Sequence, residues 1–100
     1  MRKRIENPIP FAERITYLRW LSLATGGHSS RYSGVIERAI YPLELTSDER
    51  GMGIALMLEL EGILMGRYPA DSAGVADLAV RDKILVQVRF ALNAMNGILQ

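Results

Sequence analysis

The chain has 100 residues, 49% of them apolar, which suits one domain whose core needs no metal or disulfide staple. It has no cysteine and a single histidine, His28, so disulfides, thiolate metal sites and cysteine nucleophiles are excluded. The net charge is only +1, but it is segregated: residues 1–40 carry seven basic and three acidic side chains, residues 41–77 two and seven, and residues 78–100 three and one.

Residues 1–9 read as a flexible basic arm, with Arg2, Lys3 and Arg4 at its start. It is not read as a signal peptide, because Glu6, Pro8 and Pro10 stand where an apolar stretch should follow. Residues 10–100 read as a single helical domain. Pro10 fits a first helical turn, where a missing N–H costs nothing. Phe11, Ile15, Leu18 and Leu21 then recur at helical spacing with Trp20 beside them, up to a stop at Thr25-Gly26-Gly27. His28 to Arg31 reads as a loop. A short helix over Ser33–Ile40 follows, with Val35, Ile36, Ala39 and Ile40 inward, and Tyr41-Pro42 ends it.

Thr46-Ser47-Asp48-Glu49 spells a capping box, in which the threonine and glutamate side chains each satisfy a backbone N–H at the open helix end. The helix it opens is expected to run to Met65, with Gly66 and Pro69 as its stop. Leu56, Leu60, Ile63 and Leu64 make its apolar stripe, and Met52, Met57 and Met65 widen it. Gly51, Gly53 and Gly62 each weaken a helix by about 1 kcal/mol relative to alanine. That cost suggests close approach of a neighbouring helix at Gly53 or Gly62. No run is long enough to span a bilayer: the longest aliphatic one is Ile54 to Leu58, far below the roughly 20 residues required.

Beyond the turn at Arg67 to Asp71, Val75, Leu78 and Ala79 form an inner face. The apolar pattern then slips in phase, restarts at Ile84 and continues through Leu85, Val88, Ala91, Leu92, Met95 and Leu99. The slip between Val80 and Lys83 has two explanations: a turn between two helices, or one long helix whose buried face rotates. The expected fold is an all-α small bundle of four to five helices, with a C-terminal helix-turn-helix if the first explanation holds. The Tyr41-Pro42 and Tyr68-Pro69 bonds are left open between cis and trans.

Catalysis has little support. His28 beside Ser29 lacks the strand–elbow–helix setting of a hydrolase nucleophile. The Thr25 to Ser30 loop lacks the lysine and spacing of a phosphate-binding loop. Glu59 and Glu61 are two apart on a helix and do not share a face. No spacing of His, Asp and Glu suits a metal, and no cofactor is implied. The chain is read as a non-enzyme. Ten of its twelve basic residues are arginine, which suits bidentate contact with phosphate or carboxylate. If both ends of the chain meet in space, they form one basic face for a nucleic-acid backbone or an acidic protein. As a helix-turn-helix, residues 71–99 would place Arg81, Lys83, Gln87 and Arg89 in the first turns of a recognition helix, with Arg2, Lys3 and Arg4 as further DNA contacts.

The order of features is Trp20, Gly26-Gly27, Arg31-Tyr32-Ser33-Gly34-Val35, Leu45-Thr46-Ser47-Asp48-Glu49, and a terminal run closing in Ala94 to Leu99. Over roughly residues 15–99 this resembles the shorter late-gene antiterminator proteins of lambdoid bacteriophages. Tyr32 is followed by Ser33 where that family usually has proline. The resemblance implies a phage-type transcription regulator that binds a promoter-proximal DNA element and host RNA polymerase in the bacterial cytoplasm, with Arg81, Lys83, Gln87 and Arg89 facing DNA. The alternative is a small helical interaction protein that binds and modulates a host enzyme without catalysis. Five methionines can adapt to an irregular partner surface, though filling core gaps is their commoner use. A homodimer through Ile84–Leu99 is compatible with both readings.

Overall fold

The computed structural model describes residues 11–67 and 75–97. Among them there are four α-helices, a single 3-10 turn and no strand, so the expected all-α bundle is what the chain forms. The helices are α1 (Phe11–Ala24), α2 (Ser29–Arg38), α3 (Ser47–Arg67) and α4 (Val75–Gly97), with the 3-10 turn at Pro42–Glu44. The basic arm and the Tyr68-Pro69 bond lie outside the described residues, within which no peptide is cis, so Tyr41-Pro42 is trans.

Two glycines end α1 as the sequence indicates. Gly26 and Gly27 have φ of +65° and +93°, and the Gly27 N–H reaches back to the Ser22 carbonyl at 2.8 Å. That six-to-one bond satisfies a carbonyl the helix end would otherwise leave open. The buried Thr25 hydroxyl donates to the Leu21 carbonyl at 2.8 Å. Of the expected α1 stripe, Leu21 is buried, with Tyr17 and Trp20 packed beside it, and Leu18 is 39% exposed; the side chains of Phe11 and Ile15 lie outside the described ones. The α2 helix begins at Ser29 rather than Ser33, absorbing most of the expected loop and burying Tyr32 with Ile36.

The capping box forms at the start of α3. The Thr46 N–H donates to Glu49 Oε1 at 3.0 Å, and the Glu49 N–H donates to Thr46 Oγ1 at 3.1 Å. These bonds to Thr46, with Arg38 adding its positive charge, hold the Glu49 carboxyl below the usual glutamate range. A depressed folded-state pKa means that this stabilisation is present above the unfolded glutamate pKa and is lost as pH falls through the folded one. Acidification is therefore expected to lower the protection of the first-turn α3 amides, measured as exchange relative to the intrinsic rate at each pH, and Glu49→Gln to remove that loss of protection. Thr46→Ala is expected to cost about 1 kcal/mol at neutral pH, measured by urea unfolding.

From that cap, Gly53, Met57, Leu60 and Leu64 follow one buried stripe along α3. It packs on Ile84, Leu85, Val88, Ala91 and Met95 of α4, and α3 with α4 makes the most extensive helix pairing. Gly53 near the start of α3 lies against Met95 near the end of α4, so the two run antiparallel. A Cβ at Gly53 would sit 2.7 Å from Met95 Sδ and 3.2 Å from Val35 Cγ1. The predicted close approach is thus at Gly53, where α2, α3 and α4 meet. At Gly62 a Cβ would meet nothing within 4 Å.

The α4 helix is continuous through Val80–Lys83, so of the two explanations for the phase slip the one long helix holds, and no helix-turn-helix forms there. The physical reason is Arg81. It occupies a position of the buried stripe that also carries Leu85 and Val88, and it is 8% exposed. Its Nε and an Nη donate to Asp82 Oδ1 at 3.1 and 2.8 Å, so the charge is met while the aliphatic stem packs inward. A charged residue on the core face looks like a phase slip in a hydropathy pattern.

Candidate interaction surface

The four residues expected to read DNA from α4 are not brought together. Arg81 is buried and paired with Asp82, and Gln87 is only 5% exposed. Lys83 and Arg89 are exposed. They stand six residues apart, which at 3.6 residues per turn separates them by about 120° around the helix. Arg2, Lys3 and Arg4 lie outside the described residues. Of the Ile84–Leu99 stretch, compatible with a homodimer, Ile84, Leu85, Val88, Ala91 and Met95 are buried inside the bundle, Val86 is exposed, and Leu99 lies outside the described residues.

His28 is exposed just ahead of α2 and makes no side-chain cap bond there. Glu59 is bound by α2 rather than poised for chemistry: the Tyr32 hydroxyl donates to its Oε1 at 3.2 Å, and Arg31 lies 3.9 Å from its Oε2. Burial, and next the bond to Glu59, push the Tyr32 hydroxyl above the usual tyrosine range. No cluster of three or more metal-ligating side chains occurs among the described residues. No described helix is long and apolar enough to cross a membrane.

The feature that sequence reading missed is the outer face of α3. Met52, Leu58 and Met65 are 68%, 53% and 48% exposed, although two of them were expected to widen the core. Gly51, Ala55, Gly62 and Gly66 are exposed along the same helix, and a Cβ built at any of these glycines would meet nothing within 4 Å. Positions 51, 55, 58, 62 and 65 alternate steps of four and three, the 3.5-residue repeat of a helix seam. The buried seam at 53, 57, 60 and 64 has the same alternation, two residues out of step and so about 160° away around the helix. One helix thus carries two seams, and the bundle fills only one. The signal was available in the spacing: once Gly53 is set inward, Met52 and Met65 cannot be.

Met52 stands about 100° round the helix from that outer seam and lines a separate shallow depression of about 110 Å³, with Val35, Leu45, Gly53, Leu56 and Met95 and with Arg38 and Glu49 at its sides. Leu43 on the 3-10 turn is exposed as well. Comparison of the chain with protein-family models, with curated proteins and with solved structures finds no match.

Proposed function

We propose that the protein is a small non-catalytic interaction protein that binds a helix of a partner protein along the outer face of α3. The observation that carries this reading is the second seam. Small residues at Gly51, Ala55 and Gly62 let a backbone come close, and Leu58 and Met65 on the same face supply apolar contact. Exposed leucine and methionine at a regular helical repeat are what a partner helix docks on. A regulatory role follows if that helix belongs to an enzyme, because occupying its surface alters what the enzyme can do.

Regulation through DNA contact has weaker support, since two of its four α4 residues are buried and the other two diverge around the helix. The experiment is capture from a bacterial lysate with the full chain and with Leu58→Glu, after circular dichroism confirms equal helicity. The wild type is expected to retain one protein at micromolar concentration, and Leu58→Glu to weaken that binding roughly ten-fold or more, as loss of a central apolar anchor does. Equal capture by both chains would remove the reading. So would duplex DNA binding that falls steeply with salt and is lost in Lys83→Ala/Arg89→Ala.

A further inference from the structure

A second concavity, of about 250 Å³, opens between α1, α2 and α4. It uses no residue of α3, so it is independent of the surface just proposed. Leu21, Ile36 and Ile84, all buried, form its apolar floor, and Leu18 and the Tyr17 ring stand at its mouth. Gln87 also lines it and is 5% exposed. No hydrogen bond within the described residues engages the Gln87 amide, and its polar atoms are not sealed off from the cavity. A largely buried amide with no partner among the described residues, on the wall of a mostly apolar concavity, is a ready hydrogen-bonding site for an occupant. Its donor and its acceptor sit side by side, so the partner that satisfies both offers an adjacent N–H and C=O.

Size and charge narrow the class further. An apolar cavity of about 150 Å³ takes one benzene ring, so this one has room for two fused rings. Among the described residues on its lining Glu37 is the charged one, which disfavours an anion. The Tyr17 hydroxyl is directed to Glu13, at 3.4 Å, leaving the tyrosine ring as a wall. We propose that this groove binds a small uncharged two-ring heterocycle whose lactam-type edge pairs with the Gln87 amide.

The probe is quinolin-2-one, with naphthalene as the same shape lacking the edge, and quinoline-2-carboxylate as the anion. Titration is followed by the side-chain amide resonances of Gln87 in a ¹⁵N-labelled full chain. Quinolin-2-one is expected to shift those resonances saturably, and to bind about ten-fold or more tighter than either comparison compound, the scale of leaving a buried hydrogen-bonding group unmet. Gln87→Leu keeps the volume and is expected to bind quinolin-2-one and naphthalene alike. Leu18→Trp, at the half-open mouth, is expected to abolish the shifts while leaving the helical fold unchanged. Naphthalene bound as tightly as quinolin-2-one by the wild type would overturn the proposal, as would shifts that survive Leu18→Trp. Absence of saturable shifts at millimolar probe would overturn it too.

Discussion

Leu60→Ala is expected to lower stability by about 2–5 kcal/mol. Leu60 is fully buried at the middle of the α3 seam, between Met57 and Leu64, and faces α4 along the main helix pairing. Removing its branched end deletes apolar contact and leaves a void that two long rigid helices close only in part. A domain of this size has roughly 5–15 kcal/mol to lose, so the fall in Tm is expected to be roughly 10 °C or more. Urea unfolding with an unchanged m-value would report it as a shift in midpoint. A loss below about 1 kcal/mol would place Leu60 outside the core, against typical core truncations.

Gly53→Leu and Gly62→Ala are expected to change stability in opposite directions. At Gly53 the first side-chain atom already falls inside the contact distance of Met95 Sδ, and Val35 is close behind. Met95 is itself buried, so its thioether end must move to make room, and Val35 is stiff at its branched carbon. A leucine there is expected to cost about 1–3 kcal/mol by overpacking, even after the gain in helix propensity. Gly62 is exposed, helical and surrounded by open space, so alanine is expected to stabilise by up to about 1 kcal/mol. Thermal unfolding of both variants decides the matter. Equal signs would mean that the three helices do not meet at Gly53.

What the sequence told of this fold was written in local chemistry. The Thr46/Glu49 box, the Gly26-Gly27 stop and the Gly53 contact depend on a few neighbouring residues, and each appears where it was expected. The start of α2 was hidden because Ser29, Ser30 and Arg31 carry no apolar signal; the helix turns a buried Tyr32 towards Glu59, 27 residues away. The continuity of α4 was hidden by Arg81, whose charge is met by its own neighbour and so can lie on the core stripe. The interaction surface was misread for the converse reason. Met52 and Met65 are apolar, but hydropathy gives no direction, and only the seam set by Gly53 and Leu60 tells which side is inward. Gln87 was read as a DNA contact because an amide is polar. Its burial depends on α1 and α2 closing over it, which no window of α4 contains.

The crossing at Gly53 reaches further than its own contacts. With ten residues, α2 is too short to hold its shape alone, and it rests on its neighbours as one stiff rod. One side of the rod sits where Val35 approaches Gly53; the other supplies Ile36 and Ser33 to the groove that holds Gln87. A tilt that relieves crowding at the first place must therefore reshape the second. A methyl group added at residue 53 is therefore expected to change the shape of an opening to which α3 lends no side chain.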